Sequence, residues 1–174
     1  MQNMNKHDAP FLLNLGFIVQ ESIGFTREFS FEFPFIKIQD DLELYDLSGK
    51  IKISRTSEGL MTQGKFDASH FTTCSRCLDE FKEQLNTDFA ELFFFNKNKA
   101  SQTELIVPDN GEVDFGPIIR EYFLLEMQIS PVCSPTCKGL CPICGEKIIG
   151  EECAHDDDEF DPRFSVLKSL LDDE

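Results

Sequence analysis

Phe25-Thr26-Arg27-Glu28-Phe29-Ser30-Phe31-Glu32-Phe33-Pro34-Phe35 is the stretch that decides the fold class. Each of its phenylalanines holds an odd position, with polar or charged residues and one proline between them. A strand sends alternate side chains to opposite faces, so this phase predicts a strand with a single phenylalanine face. Pro34 has no amide hydrogen to give a neighbouring strand, which points to a sheet edge or a strand end. Further along, Gly49-Lys50-Ile51-Lys52-Ile53-Ser54-Arg55 alternates again. Ser57-Glu58-Gly59 carries turn chemistry, and Leu60 to Phe66 reads as the return strand of a hairpin. Phe81 to Phe95 is another extended candidate, although its second half, from Phe89, also suits a helix. Asn96 to Gly111 reads as a loop.

One helix stands out. Asp114 is an expected N-cap and Pro117 fits a first turn. Ile118, Tyr122, Leu125 and Ile129 then repeat at helical spacing, with Ile119 and Phe123 widening the apolar stripe. Ser130-Pro131 ends it, since a proline ring disfavours the helical state in the residue before it. A second, short amphipathic helix is expected in the tail, opened by Asp161-Pro162 and carrying Phe164, Leu167 and Leu171. The fold class that follows is α+β: an antiparallel sheet, one main helix packed on it, and a Cys-rich zinc-binding loop with a short terminal helix. The helix stripe and the phenylalanine face are expected to bury each other. Residues 1–130 form a mainly β domain with the helix at about 115–129, and 131–174 form the Cys-rich segment and acidic tail.

Composition sets the outer bounds. At 174 residues and 19.9 kDa the chain has room for one domain with a small appendage. The 18 phenylalanines, beside 2 tyrosines and no tryptophan, supply core rather than a nucleic-acid stacking surface. No apolar run approaches the ~18–20 residues of a membrane span. The first residues lack the pattern of a signal peptide. The expectation is a soluble cytoplasmic protein whose thiols stay reduced.

Seven cysteines carry the chemistry: Cys74, Cys77, Cys133, Cys137, Cys141, Cys144 and Cys153. Cys74-Ser-Arg-Cys77 and Cys141-Pro-Ile-Cys144 have the two-residue gap that lets a tight turn present both sulfurs, with its amide hydrogens, to one ion. Cys133 and Cys137 have a three-residue gap, and His155 follows Cys153 by two positions. Gly145 and Gly139 stand where such turns need relief from a side chain. With His155 the ligands suffice for one or two zinc ions. Two pairings are open. Cys141, Cys144, Cys153 and His155 form one site and Cys74, Cys77, Cys133 and Cys137 the other; or Cys133, Cys137, Cys141 and Cys144 close together and leave Cys74 and Cys77 with Cys153 and His155. In the first, the helix end is pinned to the sheet. His7 and His70 read as surface or packing residues.

Catalysis finds little support. No H-E-x-x-H, G-x-S-x-G or phosphate loop occurs, and neither His70 nor His155 has the glutamate of a zinc deaminase two positions on. Cysteine-rich zinc sites are usually closed. The reading is a non-enzyme, with a thiol redox protein as a remote alternative.

Charge is the second anomaly. With 32 acids against 16 bases, the net charge of −16 excludes a generally basic nucleic-acid binder. The excess is concentrated from Glu146 onward. The one positive stretch holds Lys50, Lys52, Arg55, Lys65, Arg76 and Lys82, a candidate local RNA contact whose plainer reading is a solvated sheet face. So acidic a surface suits a basic protein, such as a ribosomal protein, better than RNA at large.

Cys74-Ser-Arg-Cys77-Leu78, the helix ending before Pro131, CSPTCKGLCPICGEKI (133–148), Cys153 and DPRFSVLKSLL (161–171) together resemble the YceD-type family of bacterial and plastid proteins. The similarity in order and spacing runs from about residue 45 to 171. The resemblance implies a role in large-ribosomal-subunit biogenesis, in support of 23S rRNA accumulation or processing, with no known catalytic activity. The partners it implies are the large-subunit precursor, ribosomal proteins or 23S rRNA. Where relatives often carry C-x-C, this chain has Cys153-Ala154-His155. A zinc-stabilised protein-interaction module unrelated to ribosomes is the alternative.

Overall fold

The computed structural model describes residues 9–39, 41–95 and 105–150. In chain order these hold β1 (Leu12–Asn14), α1 (Gly16–Gln20), β2 (Thr26–Ile38), β3 (Leu42–Arg55), β4 (Gly59–Thr73), β5 (Glu80–Phe94), β6 (Glu112–Asp114) and α2 (Gly116–Glu126). Strands β2 to β5 form a four-stranded antiparallel sheet in sequence order, and β1 pairs antiparallel with β6 in a small ribbon. The fold is α+β, as the alternation implied.

The strands are long, 13 to 15 residues each. At about 3.3 Å per residue they reach roughly 45 Å. The β2–β3 and β4–β5 turns therefore lie at one end of the sheet and the β3–β4 turn at the other. The last of these is the expected Ser57-Glu58-Gly59 turn, clasped by Thr56, whose amide and hydroxyl both donate to the Gly59 carbonyl. Phe89 to Phe94 are strand, in register with Gly59 to Gly64. Pro34 does lie on an edge strand, β2.

The single phenylalanine face is corrected. Phe31 is buried, and Phe25, Phe29 and Phe33 pack against the core, but Phe35 is 51% exposed. Beyond Pro34 the inward positions change from odd to even, to Ile36 and Ile38. Strand β3 changes phase opposite this point: Leu47, Ile51 and Ile53 face inward on one side of Asp46, and Leu44 and Leu42 on the other. Asp46 has a positive φ of 51° and stands in the bulge where the β3–β4 register shifts. A residue inserted into a ladder reverses every later side chain, and here two adjacent strands reverse together.

The core lies between the inner sheet face and a cover of α1, α2 and the N-terminal segment. Phe11 meets Phe31, Phe33 and Phe66 at ring-centre distances of 5.4, 5.6 and 6.2 Å. Helix α2 instead packs mainly on β5, with Phe115 on Phe93 and Tyr122 on Phe89. The helix stripe and the β2 phenylalanines thus bury separate partners rather than each other.

Two further corrections concern α2. Phe115 holds the cap position, while the Asp114 carboxylate accepts the Gly116 amide at 2.9 Å from one residue earlier. The buried line is Phe115, Ile119 and Phe123, flanked by Ile118 and Tyr122, whereas Leu125 is 73% exposed and Ile129 is fully exposed. Moreover, the helix ends at Glu126 rather than near 129, because Met127 is already extended with ψ 132°. An extended residue advances ~3.3 Å against 1.5 Å in a helix, and this chain must reach the β4–β5 turn.

The expected loop also has more structure than its composition suggests. Leu105 and Val107 exchange hydrogen bonds with Phe94, and Val107 is buried. Residues 96–104 and the expected tail helix lie outside the described residues.

Candidate metal centre

Cys74 and Cys77 sit in the β4–β5 turn. The turn is built by backbone bonds. Leu78 N–H donates to Cys74 O at 3.0 Å, and Cys74 N–H donates to Asp79 O at 2.8 Å. Closing it requires a positive φ at Leu78, 60°, a conformation that costs a side-chain-bearing residue about 1–2 kcal/mol.

The segment after α2 is drawn onto this turn. Ser75 N–H donates to Pro131 O at 2.8 Å and Leu140 N–H to Arg76 O at 3.1 Å. The Arg76 guanidinium donates to Cys137 O at 2.9 Å, and Lys147 pairs with Asp79. Gly139, at φ 85°, passes so close that a Cβ there would lie 2.9 Å from Arg76 O.

These bonds deliver Cys133 and Cys137 to Cys74 and Cys77, and the four sulfurs all lie within 4.8 Å of one another. Cys77 Sγ and Cys133 Sγ are 3.6 Å apart, and Cys74 Sγ and Cys137 Sγ 3.9 Å. A disulfide is about 2.05 Å, so these are not bonded pairs. Four sulfurs about 2.3 Å from a central ion form a tetrahedron with edges of about 3.8 Å. The arrangement thus has the size and donors of a four-thiolate metal site.

The electrostatics agree. Amides of Cys133, Cys77 and Arg76 aimed at Cys74 bring its thiol down to about 6. Cys133 is pushed up to about 12, first by its hydrogen bond with Cys77 and then by burial and the other sulfurs. At Cys77 the Asp79 amide acts downward, but burial and the Cys74 sulfur outweigh it, so the thiol rises. The nest readily accepts one negative charge and resists the next. A cation at its centre would remove that conflict.

Cys74, Cys77, Cys133 and Cys137 thus meet, one of the two groups of the first pairing; among the described residues Cys133 and Cys137 are not grouped with Cys141 and Cys144. Cys141 is buried and Cys144 exposed in a second turn, while Cys153 and His155 lie outside the described residues. That second turn repeats the first bond for bond. Gly145 N–H donates to Cys141 O at 2.8 Å, Cys141 N–H to Glu146 O at 2.7 Å, and Gly145 has φ 75° where Leu78 has 60°.

Only part of the basic stretch is ion-paired among the described residues. Lys50 pairs with Glu28 and Lys82 with Asp46, while Lys52 stands in register with Glu28 and Lys65 with Asp88. Arg55 is spent on Val19 O, Thr56 O and the Phe95 ring, and Arg76 on Cys137 O. His70 pairs with Glu83 across β4 and β5, a packing role. Sequence reasoning missed the part played by Arg76, Asp79 and Lys147 in holding the two segments together. It also missed three aromatic rings, Phe35, Tyr45 and Phe71, gathered on the outer sheet face.

Among the described residues no helix is long and apolar enough to cross a membrane. The model of a family described as "Large ribosomal RNA subunit accumulation protein YceD" matches residues 62–171, more than half of the chain. Proteins from Mycobacterium bovis and Mycobacterium tuberculosis, each described as uncharacterized, are 30% identical to it over 136 residues. The alignment takes in 76% of this chain, which thus spans 64% of the length of those relatives. No solved structure matches.

Proposed function

This chain belongs to the YceD family of large ribosomal RNA subunit accumulation proteins, and on that premise we propose that it is a non-enzymatic, zinc-braced factor in large-subunit biogenesis, working in the cytoplasm to support 23S rRNA accumulation or processing. The observation that carries the zinc reading is the four-sulfur nest. Its edges of 3.6 and 3.9 Å bracket those of a zinc-thiolate tetrahedron, and its ligands come from two chain segments far apart in sequence.

Cys74, Cys77, Cys133 and Cys137 would hold the first ion. Cys141 and Cys144 occupy a second turn of the same build, and with Cys153 and His155 they would hold another. Four thiolates leave no open position for water or substrate, so the first ion would brace the molecule rather than activate a reactant. Cys74 is the thiol that redox chemistry would choose, yet it is wholly buried. The amides that stabilise its charge are also the usual partners of zinc-bound sulfur. Residues 131–174 would then be a strap bound to the β domain by metal rather than by a core of their own.

The net charge of −16 favours a basic protein partner in the subunit precursor over bare RNA. Depletion tests the role: 23S rRNA and large-subunit levels should fall, and unchanged levels overturn it. Metal analysis of protein purified under reducing conditions tests the brace, with one or two equivalents of zinc expected.

A further inference from the structure

The outer face of the sheet is polar along most of its length, with Ser30, Glu32, Ser48, Lys50, Lys65 and Asp67 all pointing to solvent. At the end that carries the cysteine turn it changes character. Phe35, Tyr45 and Phe71 stand on three neighbouring strands, with ring centres 5.1 Å apart from Phe35 to Tyr45 and again from Tyr45 to Phe71. Phe35 is 51% and Phe71 49% exposed. Phe35 is there only because the paired phase change at Pro34 and Asp46 turns it outward. In a chain with so large an apolar core to fill, two half-exposed rings packed on either side of a part-buried third mark an interaction surface.

The charges around the rings indicate what would cover them. Lys37 is held by Glu43 at 3.1 Å and Lys82 by Asp46 at 2.6 Å. Both lysines beside the rings are thus already neutralised, and the chain as a whole is strongly acidic. A nucleic-acid strand would bring phosphates to a chain of net charge −16, where Lys37 and Lys82 already have carboxylates beside them. A guanidinium group, by contrast, fits both features. Its plane stacks on an aromatic face, and its fork matches a carboxylate. Exposed lysine–carboxylate pairs hold by about 0–1 kcal/mol, so an arriving arginine displaces them at little cost. The molecule uses the same chemistry internally, where the Arg55 guanidinium lies 4.4 Å from the centre of the Phe95 ring.

We propose that Phe35, Tyr45 and Phe71 form a docking platform for an arginine-rich segment of a partner protein, with Glu43 and Asp46 receiving its guanidinium groups. This deepens the assembly reading and rests on it only for the source of that segment, a basic protein of the subunit precursor.

The test uses the full zinc-loaded chain and three labelled probes: a glycine–arginine repeat peptide, its lysine counterpart, and oligouridylate. Binding is read by fluorescence anisotropy, and contact by shifts of the Tyr45 ring resonances. The arginine peptide is expected to bind best and to move Tyr45. Phe35→Ser with Phe71→Ser should weaken it roughly tenfold, from two lost cation–π contacts. Phe35→Leu with Phe71→Leu keeps the surface apolar, so it serves if the serine variant fails to fold, and it should weaken binding similarly. Leu125→Ser, exposed on α2, should leave affinity unchanged. Arginine-peptide affinity unaltered in the leucine variant would mean that net charge alone binds, and overturns the platform. Oligouridylate binding that is lost in that variant, without arginine-peptide binding, overturns it in favour of RNA. In depleted cells, a leucine variant that restores 23S rRNA despite losing the peptide sinks only the docking role. Unchanged 23S rRNA on depletion sinks the assembly reading and leaves the peptide result standing.

Discussion

Cys77 and Cys133 are 56 positions apart in the chain, yet their sulfurs lie 3.6 Å from each other. That proximity ties the β4–β5 turn to the segment leaving α2. A few hydrogen bonds also join the two, from Ser75 to Pro131 and from Leu140 to Arg76, and on the zinc reading the metal among the sulfurs is the main tie.

Replacing Cys133 with serine should therefore remove one equivalent of zinc and free the 131–150 segment, while β2 to β5 stay folded around their phenylalanine core. Small domains that depend wholly on zinc lose on the order of 10 kcal/mol with the metal. Here the loss should be nearer the entropy of an open cross-link over some sixty residues, about 4 kcal/mol. Zinc stoichiometry and backbone amide spectra check this. Cys144→Ser should likewise release metal, from the second turn, and loosen the tail alone; full zinc content in either variant contradicts its ligand assignment.

Leu78 occupies at φ 60° the place that Gly145 holds at 75° in the second turn. Leu78→Gly should relieve up to about 1 kcal/mol of backbone strain, less what glycine loses through its freer unfolded state. Gly145→Leu should cost a similar amount. Urea midpoints of the zinc-loaded proteins, moving in opposite directions, are the expected result.

Gly139→Ala should be worse than Gly145→Ala. Both glycines have positive φ, but only at Gly139 would the new methyl meet backbone, at 2.9 Å from Arg76 O, whereas Gly145 has open space around it. Strain of about 1–2 kcal/mol applies to both, and displacement of the strap adds to it at Gly139. Competition with a chelator should show faster zinc loss from the Gly139 variant, and equal rates would deny the close approach.

Tyr122 donates its hydroxyl to Glu91 at 2.7 Å, and this bond to a carboxylate, with burial, pushes the phenol from its ordinary value up to about 12. A folded-state value above the unfolded one means that its contribution is complete below pH 10 and disappears as the pH rises through 12. Wild type should exceed Tyr122→Phe by about 1–2 kcal/mol at pH 8. The gap should narrow steadily above pH 10. Urea unfolding across that range would contradict the coupling if the two stability curves ran parallel.

The sequence by itself determined what depends on neighbours along the chain. Alternation in Phe25 to Phe33 and in Gly49 to Arg55 gives strands, since the pleat has a period of two residues, and C-x-x-C followed by Leu78 or Gly145 gives turns that bond to themselves. What only the tertiary structure decided depends on partners distant in sequence. Phe35 left the inner face because Asp46, on another strand, bulged with it. Leu125 and Ile129 stayed in water because α2 met the sheet along Phe115, Ile119 and Phe123 and then stopped so that the chain could reach Ser75. The ligand set was equally open to the sequence, since every sulfur pair had suitable local spacing. Cys133 and Cys137 joined Cys74 and Cys77 once the Ser75, Arg76 and Asp79 contacts had fixed which turn they could reach.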